Sequence, residues 1–153
     1  MEDNFHLPPD VRTCLHAYIE CMADIRVLIV DDVDQVRQDL CTFLTLAGDI
    51  EVVGQAGNGQ EAIRLVEILH PQVVLMDLEM PVLDGYEAAR QIKRLQPACR
   101  IIVLTIHGGE AERQRALQAG ADDFVAKGPS LKSLVEAIHL TPFAGQNSEG
   151  ERT

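Results

Sequence analysis

Short apolar runs alternate with segments of helical periodicity through most of this sequence, and that alternation restricts the fold more than any other feature. The runs carry apolar residues at consecutive positions, which is typical of strands that are buried on both faces. Between the runs, apolar residues recur every three or four positions, as in amphipathic helices. Five such strand–helix units predict an α/β fold, a doubly wound parallel sheet with helices on both faces. The predicted strands are Ile25–Val30, Ile50–Val53, Val73–Met76, Ile101–Leu104 and Asp123–Ala126.

Composition and charge exclude several classes of protein. The 153 residues are 46% hydrophobic, enough for one domain with a buried core. A formal net charge of −11, with no cluster of Lys and Arg, disfavours direct nucleic-acid binding. No apolar run approaches the ~18–20 residues of a membrane span, and the acidic start does not resemble a secretory signal. Because the four cysteines show no C-x-x-C spacing, we expect reduced thiols in a cytoplasmic protein rather than a zinc site.

Three regions are predicted along the chain: an extension over residues 1–24, the α/β domain over 25–140 and a tail over 141–153. The extension carries one apolar stripe, which fits an amphipathic helix that docks or dimerises. The alternative is that the domain starts naturally near Met22, after an upstream extension. The tail is rich in Gly, Ser, Asn and Glu, so we expect it to be disordered. Few residues follow the last predicted helix, so we expect a stand-alone domain or one cut before an output domain.

Polar side chains follow four of the predicted strands: Asp31, Asp32, Asp77, Thr105 and Lys127. The carboxyl ends of parallel strands form the ligand-binding edge of such a sheet, so we expect these side chains to lie together. Two carboxylates about 5 Å apart repel by roughly 3 kcal/mol at an effective dielectric constant of about 20, and three therefore require a cation or raised pKa values. Oxygen ligands with vacant positions favour Mg²⁺, or Mn²⁺. Asp77 could then attack phosphorus as a nucleophile, with Thr105 and Lys127 neutralising the phosphoryl oxygens.

The chain resembles the receiver domains of bacterial two-component response regulators over about residues 25–140. This resemblance implies a flavodoxin-like sheet with strand order 2-1-3-4-5. One departure is Lys127-Gly128-Pro129, where the family usually has proline directly after the lysine; this order is similar to receivers that precede helix-turn-helix output domains. The matching elements are Asp31-Asp32, Asp77-Leu78-Glu79-Met80-Pro81-Val82-Leu83-Asp84-Gly85-Tyr86-Glu87-Ala88, Leu104-Thr105, Gly120-Ala121-Asp122 and Phe124-Val125-Ala126-Lys127.

The resemblance also implies how the site works. Asp77 would accept a phosphoryl group from the phosphohistidine of a sensor histidine kinase or a phosphotransfer protein. Mg²⁺ would be bound by Asp32, Asp77 and the main-chain carbonyl of Glu79, with Asp31 holding a metal-bound water. The domain would be a phosphoacceptor rather than an enzyme, assisting only its own phosphorylation and dephosphorylation.

A conformational switch is a second implication of the resemblance. Thr105 and Phe124 would couple the phosphoryl group to the surface formed by the fourth helix and fifth strand. Ile106 is bulkier than the residue usual at its position and is expected to hinder inward rotation of Phe124. The side chains of Glu79 and His107 are candidates for tuning the hydrolysis rate. The cognate kinase, the downstream partner, the phosphate lifetime and the oligomeric state, including a phosphorylation-dependent homodimer, stay open.

Three other functions compete with this interpretation. Gly57-Asn58-Gly59-Gln60-Glu61-Ala62 fits the dinucleotide fingerprint G-x-G-x-x-A, but it follows the second strand and leaves the polar strand ends unexplained. An aspartyl-phosphate phosphatase would need a second Asp two residues after Asp77, where the chain has Glu79. A scaffold that takes no phosphoryl group is disfavoured because the acidic, hydroxyl and amine residues are all present.

Overall fold

The computed structural model describes residues 24–106, 108–127 and 131–140, and it confirms the predicted fold. Five parallel strands form one sheet in the order β2-β1-β3-β4-β5, and helices follow each strand. The predicted extension before Asp24, the tail after Leu140 and His107 lie outside the described residues. The strands are β1 (Ile25–Val30), β2 (Ile50–Ala56), β3 (Val73–Met76), β4 (Arg100–Thr105) and β5 (Asp123–Ala126). The helices are α1 (Asp34–Leu46), α2 (Gly59–Leu69), α3 (Gly85–Leu95), α4 (Glu110–Gln118) and α5 (Lys132–His139).

The second strand is longer than its apolar pattern predicts, reaching Ala56 instead of Val53. Its register against β1 shifts beside Val27 and Leu28, which leaves Val53 as an extra residue in a bulge. Gly54 follows the bulge, where a Cβ atom would lie 2.8 Å from the Leu69 side chain. The sequence pattern breaks at this glycine because α2 packs closely on the strand there.

The inner strands β1, β3 and β4 are buried on both faces, as their unbroken apolar runs predict, whereas the edge strands β2 and β5 are partly exposed. Leu28 and Val30 belong to a core cluster shared with α2, α3 and α4, whereas Val27 and Ile29 belong to a cluster shared with α1 and α5. Complete burial of one such side chain stabilises the fold by roughly 1.5–3 kcal/mol. The covered middle of β1 and β4 is apolar, and their polar side chains lie near the strand ends: Arg26 and Arg100 near the amino ends and Thr105 at a carboxyl end.

The turn before α3 holds the end of β3 in place. Asp84 caps the helix, since its carboxylate accepts a hydrogen bond from the Glu87 N–H at 3.0 Å. The Gly85 N–H donates to the Leu78 carbonyl at 3.1 Å. A Cβ atom on Gly85 would lie 2.1 Å from the Asp77 carbonyl oxygen, which is closer than any non-bonded contact allows. Glycine is therefore required here for the helix to approach the backbone of Asp77.

We predict that Gly85→Ala destabilises the fold by about 2–3 kcal/mol, because the methyl group forces α3 away from β3. Gly108→Ala is the matched control, since its Cβ would make ordinary contacts of 3.7 and 3.9 Å with Ala126 and Phe124. Urea unfolding followed by circular dichroism measures both variants. Equal midpoints for the two variants would contradict this account of the close approach.

Candidate functional site

Three carboxylates converge at the carboxyl edge of the sheet. Asp31 and Asp32 directly follow β1, and Asp77 directly follows the neighbouring strand β3. One carboxylate oxygen from each of the three lies within 4.8 Å of the others. Asp31 and Asp77 are only 2% and 9% exposed, whereas Asp32 is open to solvent. The structure thus brings together the acidic residues that the sequence pattern singled out.

The other two polar strand ends reach the same edge. Lys127 follows β5, and its Nζ lies 2.7 Å from Asp31 Oδ2 and 3.8 Å from Asp77 Oδ1. The main-chain N–H of Lys127 donates a hydrogen bond of 2.6 Å to the Thr105 carbonyl, which connects the end of β5 to the end of β4. Thr105 is buried at that end. One ammonium group therefore faces two of the three carboxylates and offsets part of their repulsion.

Main-chain hydrogen bonds fix the two buried carboxylates. Asp31 Oδ1 accepts the Val33 N–H, and Asp77 Oδ1 accepts the Leu78 N–H, each at 2.9 Å. The Asp31 carbonyl also accepts a hydrogen bond of 2.6 Å from Nη1 of Arg37 in α1. Sequence reasoning missed Arg37, because a cation in the first turn of α1 carries no motif. Its role is to hold the loop after β1.

The pKa of Asp77 is raised from 3.8 to about 6. Burial is the largest cause, since it disfavours the charged form. The Lys127 ammonium acts in the opposite direction, while the negative charges of Asp31 and Asp32 raise the pKa further. Ionised Asp77 is therefore held in an unfavourable environment that a cation would relieve.

The donor set fits a hard divalent cation. All available ligands are oxygens, which Mg²⁺ and Mn²⁺ prefer. Asp31 is engaged on both oxygens, by the Val33 N–H and by Lys127. Asp32 makes no hydrogen bond or ion pair within the described part of the chain. Asp32 and Asp77 are thus the carboxylates best placed to bind a cation directly, with Asp31 behind them.

A surface depression of about 730 Å³ adjoins the carboxylates. Its walls include Asp32, Thr105 and Glu79, so the predicted rate-tuning residue Glu79 does lie beside the site. Sequence reasoning missed two of its other residues, Tyr86 at the start of α3 and Arg115 on α4. The Arg115 guanidinium lies over the Tyr86 ring, 3.9 Å from its centroid. Only the packing of α3 against α4 reveals this pair.

The predicted switch residues lie on adjacent strands. Phe124 pairs in register with Val103, and Thr105 pairs with Ala126, at the end of β5 next to Lys127. Phe124 is half-buried and packs against the core cluster on the α2–α3–α4 face. Ile106, which was expected to hinder its rotation, points largely into solvent and is 68% exposed.

The glycine motif after β2 has a structural explanation. The Gly59 N–H donates to the Leu83 carbonyl at 3.2 Å, and a Cβ atom on Gly59 would lie 2.5 Å from that oxygen. The Asn58 side chain caps α2 by accepting the Glu61 N–H at 2.8 Å. The chain's own backbone therefore fills the close approach that a dinucleotide pyrophosphate would need, at an edge strand away from the carboxylates.

Comparison with known proteins agrees with this geometry. The family model described as "Response regulator receiver domain" matches residues 27–139. Response regulator GacA of Pseudomonas viridiflava is 42% identical over 122 residues, which is 80% of this chain and 56% of that protein. Response regulator protein VraR of Staphylococcus aureus is 41% identical over 117 residues, covering 76% of this chain and 56% of that protein. The matched region is thus little more than half the length of these relatives.

Solved structures show the same fold. A LuxR-family two-component response regulator from Aurantimonas sp. SI85-9A1 superposes with a TM-score of 0.74 and 35% identity, covering 77% of this chain and 84% of that one. The response regulator domain of Thermotoga maritima CheB gives a TM-score of 0.71 and 36% identity, covering 77% of this chain and 96% of that one.

Among the described residues, no helix is long and apolar enough to cross a membrane.

We predict that Asp77→Asn stabilises the protein in EDTA at pH 8 by about 1–3 kcal/mol, because the variant lacks the buried carboxylate whose pKa is raised to about 6. Because the pKa of Asp77 is higher in the folded chain than in the unfolded chain, ionisation of Asp77 lowers the free energy of unfolding. This loss is complete only above the folded-state pKa of about 6. The gain should therefore shrink as the pH falls from about 6 to 4.

The control for this measurement is Asp39→Asn, which removes the same charge from an exposed position on α1. Urea unfolding of each variant against wild type at several pH values gives the comparison. A gain for Asp77→Asn that is absent at pH 8, or that does not vary with pH, would show that burial does not disfavour the Asp77 carboxylate.

Mg²⁺ should raise the free energy of unfolding by about 1.4 kcal/mol at ten times its dissociation constant, because it binds only the folded carboxylate cluster. Thermal unfolding with MgCl₂, against NaCl of equal ionic strength, measures the effect. Asp32→Asn should lose most of the shift without destabilising the fold, since that side chain is exposed. A shift that NaCl reproduces, or that survives Asp32→Asn, would argue for screening instead of binding.

Proposed function

The chain belongs to the family of response regulator receiver domains, whose function is phosphorylation-dependent signalling, and we propose that Asp77 is its phosphoacceptor. One observation carries the proposal. The Asp77 carboxylate ends the central strand β3, with Lys127 Nζ at 3.8 Å and the Asp31 and Asp32 carboxylates beside it. A nucleophile, a cationic partner and a metal-binding donor set therefore occupy one place.

The proposed donor is the phosphohistidine of a sensor histidine kinase or phosphotransfer protein. An oxygen of Asp77 forms the bond to phosphorus while the phosphorus–nitrogen bond breaks, and the imidazole leaves with the electron pair. The Leu78 N–H bond to Oδ1 orients the carboxylate for this attack. Lys127 and the Thr105 hydroxyl are the groups that would contact the phosphoryl oxygens.

A divalent cation, most simply Mg²⁺, is part of the proposal. When bound by Asp32, Asp77 and the main-chain carbonyl of Glu79, it would neutralise negative charge on both the carboxylates and the phosphoryl group. The buried position of Asp77 and its raised pKa support this assignment, since a bound cation would offset the unfavourable ionisation of a buried carboxylate. Lys127 would then exchange its 2.7 Å contact with Asp31 for the phosphoryl oxygens.

Thr105 and Phe124 would couple phosphorylation of Asp77 to a change in the protein surface. A phosphoryl group on Asp77 attracts the Thr105 hydroxyl, and the half-buried Phe124 moves into the space that is freed. Both residues lie on strands that border α4, so the surface formed by α4 and β5 would change shape. Two conformations of this surface, with populations set by the phosphoryl group, are sufficient for signalling.

The partner that reads this surface is proposed to be a downstream protein or an output domain. The curated relatives are nearly twice as long as the matched region, and one structural relative with 29% identity is described as a DNA-binding response regulator of the LuxR family from Staphylococcus aureus. A cytoplasmic location completes the proposal, because Cys41 and Cys99 are free thiols of the kind found in reducing compartments.

Acetyl phosphate with Mg²⁺ should label the wild-type chain on one residue, and Asp77→Asn should abolish the label because no carboxylate remains at the end of β3. Intact-mass spectrometry measures the bound phosphoryl group, and hydroxylamine should remove it, as expected for an acyl phosphate. Asp39→Asn is the control and should label like wild type. Undiminished labelling of Asp77→Asn would refute the assignment, and an unlabelled wild-type chain would favour a scaffold role.

A further inference from the structure

Arg115 has a defined position beside the site without an ion-pair partner. Its guanidinium lies 3.9 Å from the centroid of the Tyr86 ring, and that ring is buried in the core. Within the described residues, the guanidinium makes no hydrogen bond or ion pair, whereas Arg113 of the same helix pairs with Glu110 at 3.8 Å. A cation–π contact fixes a guanidinium while leaving its N–H donors available.

The depression beside the carboxylates is strongly acidic apart from Arg115. Arg115 is the one cation among the described residues that line it. The same walls carry four acidic residues, Asp32, Glu79, Asp84 and Glu112. Of the described side chains that line this depression, Arg115 is therefore the one that attracts a negatively charged group entering from solvent.

We propose that Arg115 promotes phosphoryl transfer from small acyl phosphates by binding their anionic leaving group, and that it leaves transfer from donors with a neutral leaving group, such as phosphohistidine, unaffected. This inference rests on the proposed function of Asp77. The depression adjoins the carboxylate cluster and is large enough, at about 730 Å³, to hold the departing part of a small donor. Guanidinium and carboxylate groups form paired, charge-assisted hydrogen bonds, so Arg115 can recognise a departing carboxylate.

Two small donors separate this role from general phosphoryl binding. When Asp77 attacks acetyl phosphate, the new oxygen–phosphorus bond forms as the phosphorus–oxygen bond to the acetyl group breaks, and acetate leaves with the electron pair as an anion. When Asp77 attacks phosphoramidate, the phosphorus–nitrogen bond breaks and neutral ammonia leaves. The transferred phosphoryl group is the same, so only contacts with the leaving group distinguish the two reactions.

The experiment measures kcat/KM for labelling of the full chain by each donor with saturating Mg²⁺. Arg115→Gln should lower the value for acetyl phosphate five- to tenfold and the value for phosphoramidate less than twofold. Arg115→Lys should fall between, because an ammonium keeps the charge but cannot form the paired contact. Arg113→Gln is the matched control and should leave both donors within twofold of wild type.

The ratio between donors protects the test from folding effects, since a partly unfolded variant loses activity toward both donors equally. Glu112→Gln is the reciprocal variant, which removes one acidic group from the depression. It should raise kcat/KM for acetyl phosphate two- to threefold and that for phosphoramidate by less, because both donors carry a negative phosphoryl group but only acetyl phosphate also has an anionic leaving group. In 1 M KCl, where the Debye length is about 3 Å, the effects of both variants should shrink.

Equal losses with both donors for Arg115→Gln, or no loss with either, would overturn the role of Arg115 while the role of Asp77 stands. A wild-type chain that neither donor labels would overturn the proposed function, and the inference about Arg115 with it.

Discussion

Repulsion among the Asp31, Asp32 and Asp77 carboxylates is the interaction on which the site depends. One oxygen of each lies within 4.8 Å of the others, and two of the residues are buried. Burial raises the pKa of Asp77 most, the charges of Asp31 and Asp32 raise it further, and the Lys127 ammonium offsets only part of these effects. The folded chain therefore holds a place of high negative potential that favours a divalent cation, and such a cation would also offset the charge of a phosphoryl group transferred to Asp77. Binding is favourable there because the fold has already brought the charges together.

The rigid frame around the cluster explains how the fold keeps these charges close. Strands buried on both faces fix the strand ends, and the close packing of Gly85 against the Asp77 backbone prevents the end of β3 from moving away. Arg37 holds the loop after β1 through the Asp31 carbonyl. On the other side of the site, β5 pairs with β4, the strand that ends at Thr105. The half-buried Phe124 lies on β5. A fixed acidic half beside the half-buried Phe124 is compatible with the proposed phosphorylation switch.

The sequence was sufficient to predict the sheet and the polar strand ends, because apolar runs buried on both faces have few alternative folds. Strand boundaries were less well predicted. The apolar pattern ends at Val53, because Gly54 packs closely against the Leu69 side chain of α2, but the strand β2 continues to Ala56. The paired Arg115 and Tyr86 could not be predicted, since they are distant in sequence and meet only when α3 packs beside α4. Likewise, Arg37 has a role that depends on the path of the loop it holds. His107 lies outside the described residues, so its proposed effect on hydrolysis stays a prediction.

Chemical mapping of the phosphorylated residue tests the central claim most directly. Borohydride reduces an aspartyl phosphate to homoserine, which marks the acceptor permanently, and trypsin separates the two groups of carboxylates. Residues 27–37 carry Asp31 and Asp32, and residues 65–90 carry Asp77, according to the positions of Lys and Arg. After treatment with acetyl phosphate and Mg²⁺, fragmentation should place homoserine at position 77 in the second peptide. Homoserine at position 31 or 32 would contradict the account, because the metal-binding carboxylates and the nucleophile would then have been assigned the wrong way round.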